Sequence, residues 1–262
     1  MRASMNTIGR VPNRVPQVTP DFWLVKLLAV TMGETAADYL AVNLGLGLAV
    51  TSVIMSVALV AFIYWQFRQK RYVPRVYWAA VVMISVVGTL ITDNLVDNLG
   101  FQLETTTALF SVALIFTFAI WYSFERTLSI HTVITTRREV FYWLAILFTF
   151  ALGTAVGDLI AEKFELGYFA TGVLFFGIVT AFFYAYLMGL SAVVAFWLAY
   201  IFTRPLGASF GDLLSQPAEY GGLGFGTTLT SLLFLLGIVV TVAIMTATGR
   251  GDETITLEAS RT

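Results

Sequence analysis

Eight apolar runs alternate with short polar breaks, at about residues 22–42, 45–66, 76–98, 105–124, 140–161, 166–187, 192–214 and 227–247. Each approaches the ~20 residues that cross a hydrocarbon core at helical rise. The pattern therefore predicts an all-α membrane protein with eight transmembrane helices. Its longest loop on the side opposite the termini is the Gly/Pro-rich SQPAEYGGLGFG, residues 215–226.

A second regularity lies inside the odd-numbered spans. FWLVKLLAVTMGETAAD, YWAAVVMISVVGTLITD, YWLAILFTFALGTAVGD and FWLAYIFTRPLGASFGD all open on an aromatic residue followed by Trp. The Trp stands at 23, 78, 143 and 197, Gly ten residues later at 33, 88, 153 and 207, and Asp five further on at 38, 93, 158 and 212. Two constant spacings through four copies with unequal loops mark a fourfold internal repeat. The units run 21–75, 76–139, 140–190 and 191–248, between tails at 1–20 and 249–262. An even number of spans per unit makes the repeats parallel, related by a pseudo-fourfold or pseudo-twofold axis along the membrane normal.

The four motifs resemble a family of bacterial membrane proteins built from four tandem copies of a repeat of unknown function, each copy with two transmembrane segments and a characteristic Trp. The resemblance covers about residues 20–247. It implies a bacterial integral membrane protein and supplies neither a substrate nor an active site.

Charge narrows the possibilities. The chain is 58% hydrophobic and 12% charged, with a mean hydropathy of +0.83 and a net charge of −1. Basic residues only balance acidic ones, which argues against nucleic acid as a partner. There is no cysteine and one histidine, His131, so disulfides, thiolate chemistry and most zinc or copper ligation fall away. The segment before the first span lacks the apolar core of a signal peptide. Arg2, Arg10, Arg14, Arg68, Lys70, Arg71, Arg75, Arg126, Arg137, Arg138, Arg250 and Arg261 fall on one side of the spans, and only Lys163 lies in the opposite loops. By the positive-inside rule both termini are cytoplasmic, in a bacterial inner membrane.

The four Asp residues sit fifteen residues from the Trp, about 22 Å along a helix, so Asp38, Asp93, Asp158 and Asp212 share one depth in the outer half. One turn earlier stand Glu34, Thr89, Thr154 and Ala208, and one turn later Val42, Asp97, Glu162 and Gln216. Carboxylates inside a membrane face a bundle interior or a water-filled cavity and mark function by default. The structural alternative is an N-cap after a helix break at GDL, 157–159, and GDLL, 211–214. The Trp series reads as interfacial anchors or packing residues, and the Gly series as close-packing or kink sites. Arg204, whose counterparts are Val30, Ser85 and Phe150, reads as a counter-ion and gating element or as a static salt bridge, with Pro205 beside it free to kink its helix. Lys26 reads as snorkelling to the inner interface.

These residues point to membrane transport of a hard cation such as Mn²⁺ or Mg²⁺, with Glu34, Asp38, Asp93, Asp158 and Asp212 as ligands and no cofactor. Clustered acids repel one another, so proton exchange is an available driving force. The alternatives are a cation channel with an Asp ring, and a membrane scaffold or enzyme. The absence of a nucleophile motif argues against the enzyme.

Overall fold

The computed structural model describes residues 9–257. Arg2 and Arg261, used for the orientation argument, and the outermost parts of both tails lie outside the described residues. Eight helices follow a short strand, β1 (Gly9–Pro12): α1 (Pro20–Asp38), α2 (Leu48–Phe67), α3 (Pro74–Asp93), α4 (Leu103–Glu125), α5 (Thr136–Asp158), α6 (Tyr168–Leu187), α7 (Ala192–Ser215) and α8 (Thr227–Thr248). A last strand, β2 (Thr254–Leu257), pairs antiparallel with β1. Apart from this small sheet the fold is helical, as the apolar runs predict.

Local chemistry sets the helix starts. Thr19 caps α1 by accepting from the Phe22 amide at 3.3 Å, and Pro20 occupies its first turn, where a missing N–H costs nothing. Pro74 opens α3, and Thr135 caps α5 through the Arg138 amide at 3.3 Å. α1, α3 and α5 run unbroken through their motif Asp and continue into five-residue π-helical turns, Tyr39–Asn43, Asn94–Asn98 and Leu159–Lys163. Asp212 lies inside α7. The alternative of a helix break at 157–159 and 211–214 is therefore corrected. The motif glycines are held inside the helices by packing, and none of the three Asp residues at a π turn makes a side-chain cap bond.

Seven helices are long and apolar enough to cross a membrane, and the chain is a multi-pass membrane protein. α1 is the exception among the eight expected spans because it carries Asp21, Lys26, Glu34 and Asp38. Lys26 and Glu34 are buried between helices. α2, α4, α6 and α8 expose Val57, Phe116, Phe176 and Leu236, the inverse of a soluble surface.

The odd helices form a closed circuit, with α1 and α5 each packed against both α3 and α7. Each even helix packs chiefly on the odd helix of the next unit: α2 on α3, α4 on α5, α6 on α7, and α8 back on α1. The units thus interlock rather than pack as separate hairpins. The four motif glycines explain how closely the odd helices approach. A Cβ at Gly33 would lie 2.0 Å from Ser85 Oγ, at Gly88 2.9 Å from Phe150 Cβ, at Gly153 2.2 Å from Arg204 Cγ, and at Gly207 2.6 Å from Val30 Cγ1. Each glycine receives the residue three positions before the glycine of the following unit, around the whole circuit. The glycines are close-packing sites.

The Trp series also packs. Trp78, Trp143 and Trp197 are buried and Trp23 half-buried, and Trp78 and Trp197 donate to Tyr72 Oη at 3.0 Å and Leu128 O at 2.9 Å. Above them the terminal segments close the bundle. Backbone bonds tie Asn13 to Tyr72 and Glu253, Arg14 to Val133, and Gln17 to Gly251, and Val15 is fully buried. Arg14 also reaches the buried Glu139 at 2.7 Å, where Gln66 donates at 3.0 Å. Residues 9–19, part of the expected basic tail, are docked, with backbone bonds to Tyr72, Val133, Gly251 and Glu253.

Candidate functional site

Every fourth residue of the odd helices, from the first aromatic to the Asp, falls in the space the circuit encloses. At the end nearest the termini, Phe22, Tyr77, Tyr142 and Phe196 are buried together. Phe22 and Phe196 lie 5.9 Å apart by ring centroid, and the Tyr77 and Tyr142 hydroxyls bond each other. Next come Lys26, Val81, Ile146 and Tyr200, all fully buried, then Val30, Ser85, Phe150 and Arg204, also fully buried. Buried aromatic and aliphatic side chains make up most of these layers and seal this half.

The other half is polar. Thr89 and Thr154 are fully buried, Glu34 is 5% exposed and Asp212 9%, while Asp38, Asp93 and Asp158 are partly exposed. Arg204 Nη2 is the hub, 2.8 Å from Glu34 Oε2, 2.5 Å from Thr89 Oγ1 and 2.8 Å from Thr154 Oγ1. Thr89 donates onward to Glu34 Oε2 at 3.1 Å. One guanidinium thus draws together residues of all four units, with α7 donating to acceptors on α1, α3 and α5. Its Nε and Nη1 have no protein partner. A buried charge survives in this setting only when paired and hydrogen-bonded, and Glu34 supplies the pairing.

Beyond this hub, Glu34, Asp158 and Asp212 each place a carboxylate oxygen within 4.8 Å of the other two. Asp38 accepts instead from Gln216 Nε2 at 3.3 Å, and Asp93 stands outside the triad. Asp97 and Glu162 lie in the π turns at the rim. Of the five acids expected as ligands, Glu34, Asp158 and Asp212 thus come together, with Asp38 and Asp93 around them. The oxygens are hard donors, and a single Mg²⁺ or Mn²⁺ bound at about 2.1 Å from each would draw them to within about 4.2 Å of one another, a small contraction from the 4.8 Å limit seen here. A surface cleft of about 600 Å³ between α3 and α8 is lined mostly by apolar residues, including Trp78 and Ile238, and contains none of these acids.

Lys26 corrects its expected position. It is fully buried, donating to Tyr200 O at 2.9 Å and to the Thr203 hydroxyl, with its Nζ 4.6 Å from the Tyr200 ring centre. It does not snorkel, because the aromatic layer and the docked residues 9–19 cover the helix end. Thr203 and Tyr200 were not marked by the repeat's Trp, Gly or Asp. The signal that finds Tyr200 is the four-residue row itself, which passes through it.

Outside the spans, His131 Nδ1 lies 2.9 Å from Glu253 Oε1, and Asn13 Nδ2 reaches Glu253 Oε2 at 3.0 Å. The Glu253 bond holds the His131 imidazole above its ordinary value, against the opposing effect of burial. Burial works to raise Glu253, but its bonds to His131 and Asn13 outweigh that and hold it below the usual carboxylate range.

One family's sequence profile matches the chain four times, at residues 22–72, 76–127, 141–189 and 195–250, under the description Repeat of Unknown Function (DUF347). No curated protein and no solved structure matches.

Proposed function

For this chain, which belongs to the DUF347 repeat family, we propose membrane transport of a hard divalent cation, Mn²⁺ or Mg²⁺ in class, through the carboxylate cup. The observation that carries the reading is the triad of Glu34, Asp158 and Asp212 oxygens within 4.8 Å of one another, next to a buried arginine. Three such acids need compensating positive charge, which protons and a metal ion supply competitively, so proton exchange is the driving force. Arg204 already neutralises Glu34. An incoming ion therefore displaces a tethered guanidinium rather than entering an uncompensated site.

The reading includes an arrangement in the bilayer. All eight helices span it, as four parallel units about a pseudo-fourfold axis along the membrane normal, and the cyclic glycine contacts support this. Both termini are cytoplasmic in a bacterial inner membrane, on the count of basic residues, so the cup faces outward. A carrier is preferred to a channel because the buried Arg204 stands at the floor of the cup and aromatic and aliphatic side chains fill the half behind it, which opposes a continuous cation path. The test is flux into proteoliposomes containing the purified chain, with Mn²⁺ followed by a fluorescent indicator under imposed proton gradients. Saturable Mn²⁺ movement, weakened tenfold or more in apparent affinity by Asp158→Asn or Asp212→Asn, is expected, which is at least about 1.4 kcal/mol. No divalent movement under any gradient ends the transport reading, and unitary currents in bilayer recording convert it to a channel.

A further inference from the structure

Lys26 is a buried amine that the cup does not use. It is 0% exposed, and no carboxylate oxygen stands within ion-pair distance of it among the described residues. Its surroundings are two neutral acceptors, Tyr200 O and Thr203 Oγ1, and two aromatic rings, with Nζ 4.6 Å from the Tyr200 centre and 5.7 Å from that of Phe150. An ammonium has three N–H groups and a neutral amine two, so the two acceptors match the neutral form.

The charged groups nearby do not supply an anion. From α7 Lys26 faces Tyr200 and Arg204, and the Arg204 guanidinium lies 5.7 Å from the same Phe150 ring. Asp212, also on α7, belongs to the cup. The titratable side chains of α3 are Arg75, Tyr77 and Asp93, and α8 has none. α5, which contributes Phe150, carries Arg137, Arg138, Glu139 and Tyr142 towards the termini and Asp158 in the cup. On α1 itself, Asp21 pairs with Arg250 at 3.3 Å, Glu34 with Arg204 at 2.8 Å, and Asp38 accepts from Gln216. The fold does not need a lysine at this level, since the other three units place Val81, Ile146 and Tyr200 there, all fully buried.

We propose that Lys26 is a proton-binding site that sets whether the sealed half of the bundle admits water. In the sealed conformation the amine is neutral. When the half opens towards the termini, the Nζ lone pair takes a proton from solvent. The resulting ammonium needs hydration or an anion that the sealed layer lacks, and so holds the half open. The inference rests on the transport reading only for what the opening serves. The structural claim stands without a transported ion.

The test uses the absence of native cysteine: Val81→Cys or Ile146→Cys places a single thiol in the Lys26 layer. Labelling by a membrane-impermeant maleimide is followed on the full chain in nanodiscs from about pH 6 to about pH 10. The same cysteine in Lys26→Met gives the intrinsic pH slope of the thiol. Relative to that slope, labelling of the Lys26 protein rises by up to about tenfold per unit of falling pH until it saturates, as a one-proton equilibrium requires. Lys26→Arg, charged throughout, is labelled faster than Lys26→Met by a constant factor at every pH, and Lys26→Gln repeats the Met result should Met fail to fold. Labelling that follows Lys26→Met at every pH, or a Lys26→Arg protein as protected as Lys26→Met, overturns the proposal. A chain that labels as expected but moves no cation overturns the transport reading and leaves this one standing.

Discussion

Replacing Arg204 by Met tests whether one buried cation organises the polar half. The change removes the 2.8 Å pair to Glu34 and the bonds to Thr89 and Thr154 while keeping most of the side-chain volume against Gly153. Glu34, 5% exposed, is left without its cation, and breaking one side of a buried pair costs about 3–5 kcal/mol. Glu34→Gln leaves the guanidinium uncompensated at similar cost. The double variant holds no unpaired charge at either position, so its loss falls short of the summed single losses by about 2 kcal/mol, within the range for contacting residues. Equilibrium unfolding in mixed micelles, followed by tryptophan fluorescence, measures all three against the parent. Single losses under about 1 kcal/mol that add within about 0.5 kcal/mol would show that the pair does not hold the four units together.

Gly153→Ala should destabilise by about 1–3 kcal/mol in the same assay, because its Cβ would sit 2.2 Å from Arg204 Cγ and push the guanidinium off Glu34. An unchanged midpoint with unchanged ion binding contradicts that packing. The His131–Glu253 clamp should secure residues 9–19 best between about pH 4.5 and 6.5. His131 is held above its ordinary value by Glu253, so its contribution is complete below the unfolded value and fades as pH rises through the raised one. Glu253 is held below its ordinary value, so its contribution is present above that value and fades as pH falls through the lowered one. Amide hydrogen exchange at Asn13 and Gln17, corrected for intrinsic rates, should loosen at both extremes, and Glu253→Gln should flatten the profile.

The repeat spacing made the odd helices legible, and with them the common depth of the Asp residues, because spacing along a helix converts directly into height. Height does not decide which acids meet. Of the five acids named from the sequence, Glu34 meets Asp158 and Asp212 while Asp38 and Asp93 do not join them, and Glu34 is the one paired with Arg204. The interlock of even helices with the next unit was not legible either, since these helices are apolar around most of their circumference, and the signal of a packed face is a buried threonine in each, Thr51, Thr106, Thr171 and Thr230. Lys26 was misread for a related reason. Three residues after a Trp suggests a membrane edge only if the Trp marks that edge, and docked residues 9–19 bury the layer instead. Val11, Val15 and Val18 are separated by proline and polar residues, so no periodicity announces that docking.

The departures from fourfold regularity are not scattered. Lys26 and Glu34 stand on α1 and Arg204 on α7, while the same levels of α3 and α5 carry Val, Ser, Thr, Ile and Phe. The first and last units meet at the α1–α7 contact, where Lys26 bonds α7 through Tyr200 and Thr203, and Arg204 bonds α1 through Glu34. No chain connection constrains this contact locally, since α1 and α7 belong to opposite ends of the sequence. On the transport and proton-site proposals, a movement that exchanges the Arg204–Glu34 pair for an ion and opens the layer around Lys26 would work along this seam. The α3–α5 contact has a glycine contact like the seam's own Gly207–Val30 pair but no charged residue at these levels, so the proposed movement would leave it in place.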